Sequence, residues 1–105
     1  MTPDLEALCR ELVQRGWFVT GADEMSDGIV VGFNFLPRHD PNWLKAFRLP
    51  VKDATPDGFE REIDLWRADV LHRLDNCELN PVLRRLLAEH GADKVREAMS
   101  ARAFV

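Results

Sequence analysis

Residues 29–36 read IVVGFNFL, and the layout of this stretch decides the fold class. Side chains alternate across a strand, so Ile29, Val31, Phe33 and Phe35 share one side. Val30, Gly32, Asn34 and Leu36 share the other. A β-branched and aromatic run of this length is a strand signal. Just upstream, WFVT at 17–20 has the same chemistry. Between the two, GADEMSDG at 21–28 carries two glycines and three acids and reads as a loop. The expectation is a hairpin whose loop is too long for a tight turn.

Working outward to the N-terminus, Leu5, Leu8, Cys9, Leu12 and Val13 follow helical spacing. Thr2 and Pro3 offer a cap and a first-turn proline, and Gly16 a stop. Glu6 to Arg10 and Glu11 to Arg15 are four apart and support the outer face. Cys9 belongs to the apolar stripe and behaves there as a small hydrophobe.

On the other side, Asp40 and Pro41 repeat the cap-plus-proline signal and predict a short helix over 41–47, with Trp43, Leu44 and Phe47 at helical spacing. FRLPV at 47–51 then predicts a third, edge strand, where Pro50 is tolerated. Thr55–Pro56 starts a helix to about residue 74, whose apolar face is Phe59, Ile63, Trp66, Val70 and Leu74. Its charges, Arg61, Arg67 and Arg73 among Asp57, Glu60, Glu62, Asp64 and Asp69, read as a solvated outer face. Asn80–Pro81 starts another helix, with Val82, Leu83, Leu86 and Leu87 inward and Gly91 at its end. In a last helix Val95, Ala98 and Met99 face inward, joined by Phe104. The expected fold is α+β: a small antiparallel sheet of two or three strands, an N-terminal helix and a three-helix C-terminal half, in a single domain over 1–105.

Composition bounds the function. At 46% apolar and 30% charged the chain is an ordinary globular protein rather than a disordered one. Its net charge of −4 argues against a general nucleic-acid binder, which usually carries a basic surplus. Two cysteines, Cys9 and Cys77, make no disulfide framework. The acidic N-terminus is not a signal peptide, and IVVGF is far short of a membrane span, so the expected location is cytoplasmic and no membrane is a partner.

Motifs that carry chemistry are few. Arg38, His39 and Asp40 are neighbours, whereas a triad needs groups converging from different parts of a fold. His39, His72 and His90 share no ligand spacing with one another or with the cysteines, so no metal or cofactor is expected. The order α-β-β-β-α is that of double-stranded RNA-binding domains, but such domains open the second helix with lysines, and here that position reads TPDGFEREID. PVLRRLLAEHGADKVREAMSA resembles a helix-turn-helix around Gly91. Its Leu87, Glu97 and Ser100 miss the small and aliphatic residues that pattern wants.

What stands out is an aromatic and cationic segment. Trp43 and Phe47 are expected as partner-binding anchors on one face of the short helix, flanked by Lys45 and Arg48. The expectation is therefore a non-enzymatic interaction protein, an adaptor, inhibitor or regulator of bacterial or phage style. It acts through a protein partner, and a homodimer is an open alternative. No catalytic residue is assigned and no specific nucleic acid is expected. The second reading is a nucleic-acid-binding regulator using the C-terminal helical hairpin, with Arg84 and Arg85. The third is a small enzyme using His39.

Overall fold

A computed structural model describes residues 3–37, 41 and 43–100 of the protein. Thr2, the triplet Arg38, His39 and Asp40 with its expected cap, and Phe104 lie outside the described residues. The chain runs α1 (Pro3–Gln14), β1 (Val19–Met25), β2 (Gly28–Asn34), β3 (Leu44–Leu49), a 3-10 turn (Val51–Asp53), α2 (Pro56–Asp75), α3 (Pro81–His90) and α4 (Ala92–Ser100). The three strands form one antiparallel sheet in the order β1-β2-β3. With one helix before it and three after it, the fold is α+β.

The sheet is two-faced because side chains alternate along each strand. Val31, Phe33 and Phe35 are fully buried on the helix side. Their β3 neighbours Phe47 and Leu49 are buried beside them, since Val31 pairs with Phe47 and Ile29 with Leu49. α1 packs against β1 and α2 against β3, both on this side. α4 packs against α2 and α3, adding Val95, Ala98 and Met99 to the core. Phe33 sits at the middle of an aromatic cluster. Its ring centroid lies 6.1 Å from Trp17, 6.1 Å from Phe35, 6.0 Å from Phe47 and 6.4 Å from Phe59. Offset and edge-on pairs at such distances add to simple burial.

The helix starts follow the side-chain chemistry. Gly58 N–H donates to Thr55 Oγ1 at 3.0 Å, and Leu83 N–H to Asn80 Oδ1 at 2.8 Å. Each cap is followed by a proline whose missing N–H would be an orphan in any case. A Cβ at Gly58 would fall on the Asp53 carbonyl oxygen, so only glycine lets the 3-10 turn run this close to α2. Gly91, with φ +83, ends α3, and its N–H donates to Leu87 O at 2.9 Å.

Four local expectations are corrected. First, β1 covers 19–25, not 17–20, and Met25 pairs with Gly28, so the hairpin turn is only Ser26 and Asp27. The acids Asp23 and Glu24 are tolerated because β1 is an edge strand and mostly exposed. Second, the short helix over 41–47 is absent among the described residues, and 44–49 is strand. Trp43 and Phe47 are four apart, which puts two side chains on one face of a helix and equally on one face of an extended chain. Third, Val13 and Val82 are exposed, not inward, because each stands at the edge of its helix's apolar stripe. Fourth, Arg67 is 6% exposed and lies inside, not on the outer face of α2. It continues the stripe Phe59, Ile63, Val70 at helical spacing.

Candidate functional site

An open groove of about 190 Å³ runs between the start of β3 and α3. Strand alternation builds one wall. Trp43, Lys45, Phe47 and Leu49 point to the helix side, and Leu44, Ala46 and Arg48 point away. α3 supplies the other wall with Val82, Leu86, Glu89 and His90, and α2 adds Trp66. The floor is aromatic: the Trp43 and His90 rings lie 4.0 Å apart, tilted by 45°. The α3 rim is aliphatic and open to solvent, with Val82 69% exposed. Across from it Lys45 Nζ sits 5.6 Å from the Trp66 centroid and 5.3 Å from that of Phe47, close enough for cation–π attraction. Among the described residues no carboxylate pairs with Lys45.

The four residues singled out from the sequence do not share one surface. Trp43, 2% exposed, forms the groove floor, and Lys45 lines the groove. Phe47 is buried beneath Lys45 and is part of the core. Arg48 lies on the opposite face of the sheet, where its Nη1 is 3.3 Å from Asp27 Oδ2. The exposed-anchor arrangement of Trp43 and Phe47 is therefore corrected: the strand turns both rings inward. The groove residues from α2 and α3 had no sequence signal beyond their own helical periodicity, because they meet β3 only through the tertiary fold.

A second polar constellation ties α1 to α2. Arg15 donates to Asp57 at 2.7 Å and to Glu60 at 2.5 Å, and also pairs with Glu11 at 3.3 Å. Trp17 Nε1–H donates to Glu60 Oε2 at 2.8 Å. Next to it, the Arg67 guanidinium lies 5.1 Å from both the Trp17 and Phe35 rings, which meet edge-on. Trp17, Glu60, Asp64 and Arg67 line a cavity of about 160 Å³. The hydrogen bonds from Arg15 and Trp17 to Asp57 and Glu60 join the end of α1 to α2.

Hydrogen bonds from Arg15 hold the Asp57 carboxyl below the usual carboxylate range, and Asp57 in turn raises Arg15. A folded-state pKa below the unfolded one stabilises the fold above the ordinary carboxylate range, and that contribution is lost as the pH falls through the depressed value. Asp57→Asn removes it. Urea midpoints of the two proteins therefore differ at neutral pH and converge on acidification below the ordinary value of 3.8. A difference constant with pH would contradict the pairing. The effect is small because Asp57 is exposed, and added salt shrinks it further.

Of the remaining candidates, Cys9 is half-buried on α1, and burial raises its thiol pKa, which suits a core residue. Among the described residues no group of three or more His, Cys, Asp and Glu is placed to hold a metal ion. No described helix is long and apolar enough to cross a membrane. Arg84 and Arg85 are exposed on α3. Gly91 alone connects α3 to α4, shorter than the three or four residues of a DNA-binding helix-turn-helix.

No protein-family model, curated protein or solved structure matches the chain.

Proposed function

We propose that the chain is a non-enzymatic interaction protein, an adaptor, inhibitor or regulator, that docks a protein partner in the groove between β3 and α3. One observation carries this reading. A large aliphatic side chain, Val82, stands open on the α3 side of an aromatic-floored groove, across from the cation of Lys45. At about 190 Å³ the groove is smaller than the roughly 300–1,000 Å³ of small-molecule sites. It fits one or two apolar side chains of a partner, with Lys45 facing whatever acid accompanies them. An aromatic-floored pocket that can be desolvated by a partner's side chain is the usual setting of a binding hot spot. A cytoplasmic setting accords with the two free thiols and the charge of −4.

The test is affinity capture from the cells that make the protein, with two variants beside the wild type. Val82→Asp places a carboxylate on the rim. Position 82 lies in the first turn of α3, where the helix dipole favours an acid, so the fold is kept. Leu65→Asp makes the same change on exposed α2, outside the groove. Val82→Asp is expected to lower partner recovery at least about tenfold, the loss for a desolvated anchor of ~1.4 kcal/mol or more. Leu65→Asp is expected to leave it unchanged. Equal loss in both, or in neither, contradicts the proposal.

A further inference from the structure

The helices cover one face of the sheet and leave the other open. That outer face has an ordered layout. Gly21, Gly32 and Ala46 stand in one row across all three strands, because Gly21 pairs with Gly32 and Gly32 with Ala46. The bulge between Val19 and Gly21 brings Thr20 beside this row, where a Cβ at Gly32 would lie 2.7 Å from Thr20 Oγ1. No side chain in the row is larger than a methyl. On one side of it stand Phe18 and Leu44, both exposed, flanking Asn34. Asn34 is buried, its Oδ1 accepting Leu36 N–H at 2.7 Å. On the other side Asp23 and Arg48 flank Val30, one on each edge strand.

We infer that two copies of this chain pack through these open faces, with a two-fold axis running along β2. The charges choose the axis. Rotation about β2 exchanges the two edge strands and keeps each row at its own level. It sets Asp23 of one copy over Arg48 of the other, and the same pair forms again on the far side of the axis. Phe18 then meets Leu44 twice, and Val30 meets its own copy on the axis. A two-fold axis across the strands would instead set β1 over β1 and β3 over β3, leaving both charge pairs unmade. A closed two-fold contact needs a patch complementary to itself, and this face meets that condition in charge. Asp23 has no ion-pair partner among the described residues. The Asp27 contact of Arg48 is exposed and spares room for a second carboxylate.

The area sets the strength. Three strands about 4.8 Å apart and some five residues long make a patch of roughly 250 Å² in projection. Even with side-chain relief this is below the ~800 Å² per partner of a standard interface. The dimer is therefore a weak one, at the low end of specific contacts.

Sedimentation equilibrium of the full chain between about 10 μM and about 1 mM reads this directly. The wild type is expected to pass from monomer to dimer across that range. Asp23→Arg faces Arg48 with a like charge, and Arg48→Asp faces Asp23 with one. Each is expected to weaken the dimer at least tenfold, and the two together to restore it. Ala46→Asp, which puts a carboxylate in the middle of this face, is expected to stay monomeric. All three positions are exposed, so far-ultraviolet circular dichroism of each variant should match the wild type. A wild type that stays monomeric at 1 mM overturns the inference. So does a dimer indifferent to the single reversals, or a double reversal that fails to dimerise.

Discussion

Truncating Trp43 to alanine is expected to lower the unfolding free energy by about 3–5 kcal/mol. The ring is 2% exposed, rests against His90 and closes the end of the core where the chain enters β3. Removing it leaves a cavity whose walls are sheet and helix and relax only partly. For a domain whose whole stability is about 5–15 kcal/mol, this is a large fraction. Urea unfolding followed by circular dichroism reads it as a fall in midpoint with the slope kept. A loss under about 1 kcal/mol, the usual cost of a surface change, would place the ring on the surface after all. The groove loses its floor in the same variant, so binding lost there is not informative. That is why the test of function uses the rim residue Val82.

Phe33→Ala is expected to be as costly, again about 3–5 kcal/mol. Phe33 is fully buried and in ring contact with Trp17, Phe35, Phe47 and Phe59, so it joins both flanking strands to α2. Phe18→Ala is the matched control. Phe18 stands on the opposite face of the sheet and is 48% exposed. Its truncation is expected to cost about 1 kcal/mol or less at concentrations where the chain is monomeric. The contrast reads out which face of the sheet is the core. Equal losses in the two variants would mean that the outer face is covered as well.

The helices were legible because their signals are local. Thr55–Pro56 and Asn80–Pro81 cap α2 and α3 at the expected positions, and Val95, Ala98 and Met99 turn inward from α4 as their spacing requires. β2 was legible from its alternation. The edge strands were harder, for separate reasons. β1 has little to bury, so Asp23 and Glu24 could occupy it and disguise it as loop. In β3 the inward positions are 45, 47 and 49, and Lys45 breaks the apolar alternation because it packs over the Phe47 and Trp66 rings at the edge of the open groove. Arg67 misleads in the same way. Its spacing is that of the core, and the sequence does not show that Trp17 and Phe35 come together around it. Of the groove, Trp43 and Lys45 carried a signal of unusual chemistry in a short segment. That Val82 and His90 complete it, some forty residues later in the chain, is a product of tertiary packing alone.

The central claim is that the groove between β3 and α3 receives a protein partner. Its most direct test is site-specific photo-cross-linking in the cells that make the protein. A photoreactive residue is placed at Val82 on the groove rim, and in a second strain at Leu65, equally apolar and nearly as exposed but on α2 outside the groove. The account predicts a discrete protein adduct from position 82 and none from position 65. No adduct at 82, or the same adducts at both positions, would contradict it.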